Sequence, residues 1–110
     1  MTPVSGGAVR AEDLPNGVRV VRLERPASRN ALTPQMLAEL EQALQLVPGI
    51  RALVLEGEGT AFCAGYDLDC LEADAAAERA PDGLIQEVVH RLEEVSVASV
   101  AVVHGAAFGA

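Results

Sequence analysis

Over residues 18–24, Val18, Val20, Val21 and Leu23 are interleaved with Arg19, Arg22 and Glu24, the period of a strand with one face buried. Residues 9–14 read as its partner. Between them Pro15-Asn16-Gly17 reads as a turn in which Gly17 takes the positive φ that hairpins need. Residues 1–8 carry no such pattern and are expected to be flexible, and Pro26 ends the second strand.

The period then changes. Met36, Leu37, Leu40, Ala43, Leu44 and Val47 recur at helical spacing behind Thr33-Pro34, an N-cap followed by a proline at the first helical position. A helix over 34–47 follows, stopped by Pro48-Gly49. Ala52-Leu53-Val54-Leu55 is a short apolar run between turn signals, the pattern of a strand buried on both faces. Residues 57–65 read as a loop, 66–71 as a short helical turn and the acidic 72–81 as mobile. A second helix is expected from an Asp82 cap to Val95, with Leu84, Ile85, Val88, Val89 and Leu92 inward and Glu87, Arg91, Glu93 and Glu94 outward. A strand over 97–103 closes the series. Strand, helix, strand in this order favours a right-handed crossover.

Composition narrows the classes. With 50% apolar residues in 110, the chain can build one core, although a domain of this size leaves much of its surface wet. No run of about 18 apolar residues and no leader-like start is seen, so a soluble, cytoplasmic protein is expected. A net charge of −8 with no lysine excludes a nucleic-acid surface, because phosphate contacts need clustered cations. Cys63 and Cys70 match no zinc or redox spacing, so both are read as reduced thiols and no metal site is indicated.

Two turns follow apolar strands: Gly59-Thr60-Ala61-Phe62-Cys63-Ala64-Gly65-Tyr66-Asp67-Leu68, and Gly105-Ala106-Ala107-Phe108-Gly109-Ala110. Small residues let backbone approach a ligand, and N–H groups at helix starts can stabilise an oxyanion. Either turn taken singly is also accounted for by glycine's use in turns. Gly57-Glu58-Gly59 fails the dinucleotide fingerprint, since Phe62 stands where its third glycine belongs, and no P-loop lysine exists.

Three segments together are more specific. Arg25-Pro26-Ala27-Ser28-Arg29-Asn30-Ala31-Leu32-Thr33, then Ala61-Phe62-Cys63-Ala64-Gly65-Tyr66-Asp67-Leu68, then Val102-Val103-His104-Gly105-Ala106-Ala107-Phe108-Gly109-Ala110 resemble, in order, signature segments of the crotonase (enoyl-CoA hydratase/isomerase) family. The resemblance runs from about Val9 to the end and matches the amino-terminal part of a family member. It implies an α/β fold, a crotonase-like spiral of ββα units, incomplete in this chain: residues 9–110 as the start of such a domain, truncated at Ala110.

The resemblance further implies an acyl-CoA substrate, no cofactor beyond that CoA, and a homotrimer or hexamer at full length. The backbone amides of Tyr66 and Ala110 would form the oxyanion hole. Ser28, Arg29, Ala31, Ala64, Asp67 and Leu68 would contact the CoA, with Arg29 suited to a phosphate. Hydratases of the family use two glutamates, which would lie beyond Ala110, so a catalytically inactive fragment is the alternative expectation. A protease on the related spiral fold would need a serine opening a helix at the second turn, and Ser99 sits inside a strand.

Other polar residues are read as structural. His104 is a hydrogen-bonder beside the second turn, His90 a surface residue, and Asp67 a carboxylate in a first helical turn. No histidine has a serine or cysteine partner at triad spacing. Val97-Ala98-Ser99-Val100 lacks the proline with which family members often begin this strand.

Overall fold

The computed structural model describes residues 4–5, 7–68 and 81–109. Five strands form one sheet in sequential order, β1 (Val4–Ser5), β2 (Val9–Asp13), β3 (Val18–Leu23), β4 (Ala52–Gly57) and β5 (Ala98–Val102). The hairpin is present, with Ala11 opposite Val21 and Gly17 at φ 86°. β3 and β4 are parallel, as are β4 and β5. The start of the chain differs from the flexible expectation: Val4 and Ser5 pair with Ala11 and Arg10 in an added antiparallel edge.

One sheet face carries Val9, Ala11, Val21, Leu23 and Leu53, all buried, and two helices pack on it. α1 (Pro34–Ala43) begins as the sequence indicates, since Thr33 is extended and its Oγ1 accepts from the Met36 amide at 3.1 Å. It ends four residues early, at Ala43 rather than Val47. The cause is a buried arginine. Arg19 is gripped by Asp13 through Nε to Oδ1 at 2.6 Å and Nη2 to Oδ2 at 2.8 Å. Its Nη1 donates to the carbonyls of Ala43 at 3.0 Å and Gln45 at 3.2 Å, which satisfies the orphaned end of the helix. Val47, expected inward, is 51% exposed as a result.

α2 (Pro81–Glu94) starts at Pro81, so Asp82 lies inside the helix and is not its cap. Val88 is buried and Ile85 and Leu92 pack against the core, whereas Val89 is 40% exposed because its place on the helix turns past the core-facing stripe. Arg91 faces outward and reaches Glu41 of α1 at 3.2 Å. β4 is fully buried only at Leu53; Ala52 and Val54, on the other face, are half-exposed, since no layer covers that side among the described residues. β5 is exposed along its whole length, with Val100 and Val102 on the same outer face. Of the stretch 72–81 expected to be mobile, Pro81 is helical, and the rest, with Cys70, lies outside the described residues.

One buried carboxylate opposes the fold. Glu39 of α1 is 8% exposed, neither of its oxygens has a hydrogen-bond partner, and desolvation raises its pKa above the usual 4.5. A raised folded-state pKa gives stability that is whole below the unfolded value and lost as pH rises through the folded one. Glu39→Leu is therefore expected to be more stable than the parent at neutral pH by about 1 kcal/mol, the scale of an unsatisfied buried polar group. In urea unfolding this gain shrinks toward pH 4. Arg19→Met, in contrast, strands the Asp13 carboxylate and two carbonyls, and is expected to cost about 3 kcal/mol by the same measurement.

Candidate functional site

The three signature segments, far apart in the chain, meet at the carboxyl ends of β3, β4 and β5. The first is the loop from Arg25 to Leu32. Pro26–Ser28 form a single 3-10 turn, after which Arg29 and Asn30 both take left-handed backbone, at φ 52° and 57°. Two consecutive left-handed residues other than glycine are strained, and strain of this kind persists only where surrounding bonds impose it. Here the Arg29 amide donates to Pro26 O at 3.0 Å and the Asn30 amide to Arg25 O at 2.9 Å.

Asn30 is fully buried, and its side chain joins this loop to the next. Its Oδ1 accepts from the Arg25 amide at 2.8 Å, while Nδ2 donates to Glu58 O and to Ala61 O, both at 2.9 Å. One short amide thus satisfies three backbone groups that have no place in the sheet. His104 adds a second tie from the end of β5. Its Nε2 lies 2.7 Å from Gly59 O, and because a carbonyl only accepts, that nitrogen carries the proton.

Backbone bonds then set the loops edge to edge. The Ala64 amide donates to Arg29 O at 3.0 Å, Leu32 N to Gly65 O at 2.8 Å, and Asp67 N to Leu32 O at 2.7 Å. Tyr66 and Leu32 form a parallel bridge, as do Cys63 and Ala107. In such a bridge the groups flanking Tyr66 face Leu32, so the N–H of Tyr66 itself is directed to the opposite side. That side is the third segment. Phe108 N donates to Cys63 O at 2.9 Å and Cys63 N to Ala106 O at 3.2 Å.

Gly65 and Gly109 touch across this seam, at φ 93° and 73°. A Cβ on Gly65 would stand 3.1 Å from Phe108 O, and one on Gly109 would stand 3.2 Å from Gly65 Cα and 4.0 Å from Tyr66 N. Only glycine suits both the backbone and the approach. Tyr66, the residue after Gly65, is therefore held beside the Gly109 turn. Ala110 itself lies outside the described residues.

The CoA-contact candidates divide into two groups. Ser28, Arg29, Ala31 and Ala64 lie together on the joined loops, and Arg29 is exposed with no side-chain partner among the described residues. Leu68 is helical and 74% exposed, whereas Tyr66, where the helical turn over 66–71 was expected to begin, is bridged to Leu32; residues 69–71 lie outside the described residues. Asp67 is different. It is 8% exposed, and its Oδ2 accepts from Arg25 Nη1 at 2.7 Å. Cys63 is buried, and burial pushes its thiol pKa up, opposed by a bond from the Gly65 amide, so it is a packing residue and not a nucleophile. Arg25 and Asn30 were quoted in the sequence motif without a role. An asparagine just before an apolar helix opening, in a loop without glycine, is the signal that a left-handed position needed filling.

The enoyl-CoA hydratase/isomerase family model matches residues 13–110, and the chain belongs to that family. A Mycobacterium bovis protein named "Probable enoyl-CoA hydratase echA6" is 43% identical over 96 residues, covering 84% of this chain and 37% of that protein. An Arthrobacter protein named 4-chlorobenzoyl coenzyme A dehalogenase-2 is 32% identical over 102 residues, 86% of this chain and 37% of that protein. The crystal structure of an enoyl-CoA hydratase from Mycobacterium smegmatis superposes with a TM-score of 0.76 at 29% identity, over 91% of this chain and 41% of that one. The fold is thus a partial crotonase fold, and the chain spans less than half the length of these relatives.

Removing the Asn30 amide tests the joint between the loops. Asn30→Ala leaves three backbone groups unsatisfied and keeps a Cβ at φ 57°, so it is expected to lower unfolding free energy by about 3 kcal/mol. Asn30→Gly relieves the backbone and is expected to lose measurably less in the same urea titration.

Proposed function

We propose that the chain binds an acyl-CoA thioester across the joined loops and polarises the thioester carbonyl with the backbone amides of Tyr66 and Ala110. The observation that supports this reading is the Gly65 to Gly109 contact, which sets the Tyr66 amide beside the turn that leads to Ala110. The names of the relatives add a chemical reason. One is called a hydratase and the other a dehalogenase, and what those two reactions share is a CoA thioester whose carbonyl can take up negative charge.

In this reading the Tyr66 amide, directed away from Leu32, meets the carbonyl oxygen together with that of Ala110. Donors placed where charge develops stabilise an enolate-like state by about 3 to 4 kcal/mol each. The side chain of Tyr66 plays no part in that step. Arg29 offers its planar fork to a CoA phosphate, while Ser28, Ala31, Ala64 and Leu68 border the adenine and pantetheine. An apolar cavity of about 110 Å³ lined by residues including Leu32, Phe62, Cys63 and Ile85 backs the loop, which suits an apolar acyl group. Coenzyme A enters only as part of the substrate. Binding and polarisation are the steps proposed for these 110 residues. At full length the assembly would be a cytoplasmic homotrimer or hexamer.

The second reading, a catalytically silent product, draws on β5, where Val100, Val102 and Val103 are 58%, 48% and 57% exposed. Small-angle scattering separates the two when combined with calorimetric titration of a short acyl-CoA. A compact particle that binds saturably supports the proposal, and a compact particle with no binding refutes it. Gly65→Ala, which forces a Cβ against Phe108 O, is expected to weaken binding at least about tenfold, equivalent to 1.4 kcal/mol.

A further inference from the structure

Arg25 is tied on every side. Its amide donates to Asn30 Oδ1 at 2.8 Å, its carbonyl accepts from the Ser28 and Asn30 amides at 3.1 and 2.9 Å, and its Nη1 reaches both Ala31 O at 2.9 Å and Asp67 Oδ2 at 2.7 Å. Asp67 directly follows Tyr66. The peptide that carries the Tyr66 N–H is planar, so the bond that its carbonyl, Gly65 O, accepts from the Leu32 amide at 2.8 Å turns that N–H away from Leu32. The bond is half of a bridge whose other half is the Asp67 amide on Leu32 O at 2.7 Å. Arg25 clamps the bridge, because its Nη1 joins Ala31 O, next to Leu32, to the Asp67 carboxylate.

We propose that Arg25 and Asp67 are positioning residues: their ion pair fixes the Tyr66 peptide so that its N–H points at the place shared with the Gly109 turn. The inference rests on the reading of that amide as an oxyanion donor. It also moves Asp67 out of the set of ligand contacts, because its carboxylate is buried against Arg25 and is not presented to a ligand. Arg29 then remains the loop's exposed cation for a phosphate, while Arg25, in the same loop, is committed to the protein. The pair is partly shielded, with side-chain exposures of 31% for Arg25 and 11% for Asp67, so salt screens it less than a fully exposed pair.

Two measurements on Arg25→Gln, Asp67→Asn and Arg25→Lys in the 110-residue chain test this. The first is amide hydrogen exchange without ligand. Arg25→Gln is expected to speed exchange at the Leu32 and residue-67 amides about tenfold while leaving Val21 and Leu53 in the sheet unchanged. Unchanged exchange at Leu32 and residue 67 would overturn the proposal whatever the chain binds. The second is absorbance of bound cinnamoyl-CoA, whose band moves to longer wavelength when its thioester carbonyl is polarised. Arg25→Gln and Asp67→Asn are expected to keep Kd within about threefold of the parent while losing more than half of the band shift, with Arg25→Lys recovering most of it. A tenfold rise in Kd with the band shift intact would make Asp67 or Arg25 a ligand contact and contradict the assignment. A parent chain that binds with no band shift would instead refute the oxyanion reading, leaving the exchange result to decide whether the ion pair fixes the loop.

Discussion

Asn30 spends one primary amide on three backbone groups from two loops, and the geometry of the site depends on that bonding. The segments that meet at the top of the sheet, residues 25–32, 58–67 and 104–109, leave the ladder of strands and so lose its hydrogen bonds. Buried backbone polar groups left without partners cost about 1 to 3 kcal/mol each. A fully buried asparagine in left-handed backbone supplies those partners for Arg25, Glu58 and Ala61 together. The strain of the Arg29-Asn30 pair is thus held by bonds that also hold the site.

Small side chains complete what the asparagine begins. The parallel bridges Leu32 to Tyr66 and Cys63 to Ala107 extend the sheet's order into the loops, and Gly65 and Gly109 let the last two segments touch backbone to backbone. A site made of backbone amides tolerates side-chain change at the donors but not at the glycines that aim them.

Much of the scaffold was legible in the sequence because it is written in local terms. Alternation gave the β2–β3 hairpin, and Thr33-Pro34 gave the start of α1. The misplaced features all depend on distant partners. The end of α1 is set by Arg19 on β3, 24 positions from Ala43, so the apolar period running on through Val47 was misleading. Val89 read as inward from the helical period, yet exposure depends on which layer covers it. Within the site, the three motifs marked the segments, and the structure brings them together. The bonds of Asn30 to Glu58 and Ala61, and of Arg25 to Asp67, span 28 to 42 positions and end largely on carbonyl oxygens, which carry no residue signature.

Polarisation of a bound thioester carbonyl is the central claim, and isotope-edited infrared spectroscopy reads it at the reacting bond. With an acyl-CoA carrying carbon-13 at the thioester carbonyl, the stretch of the bound ligand is expected at lower frequency than that of the free ligand. The same band at the free-ligand frequency in a saturated complex would contradict the account.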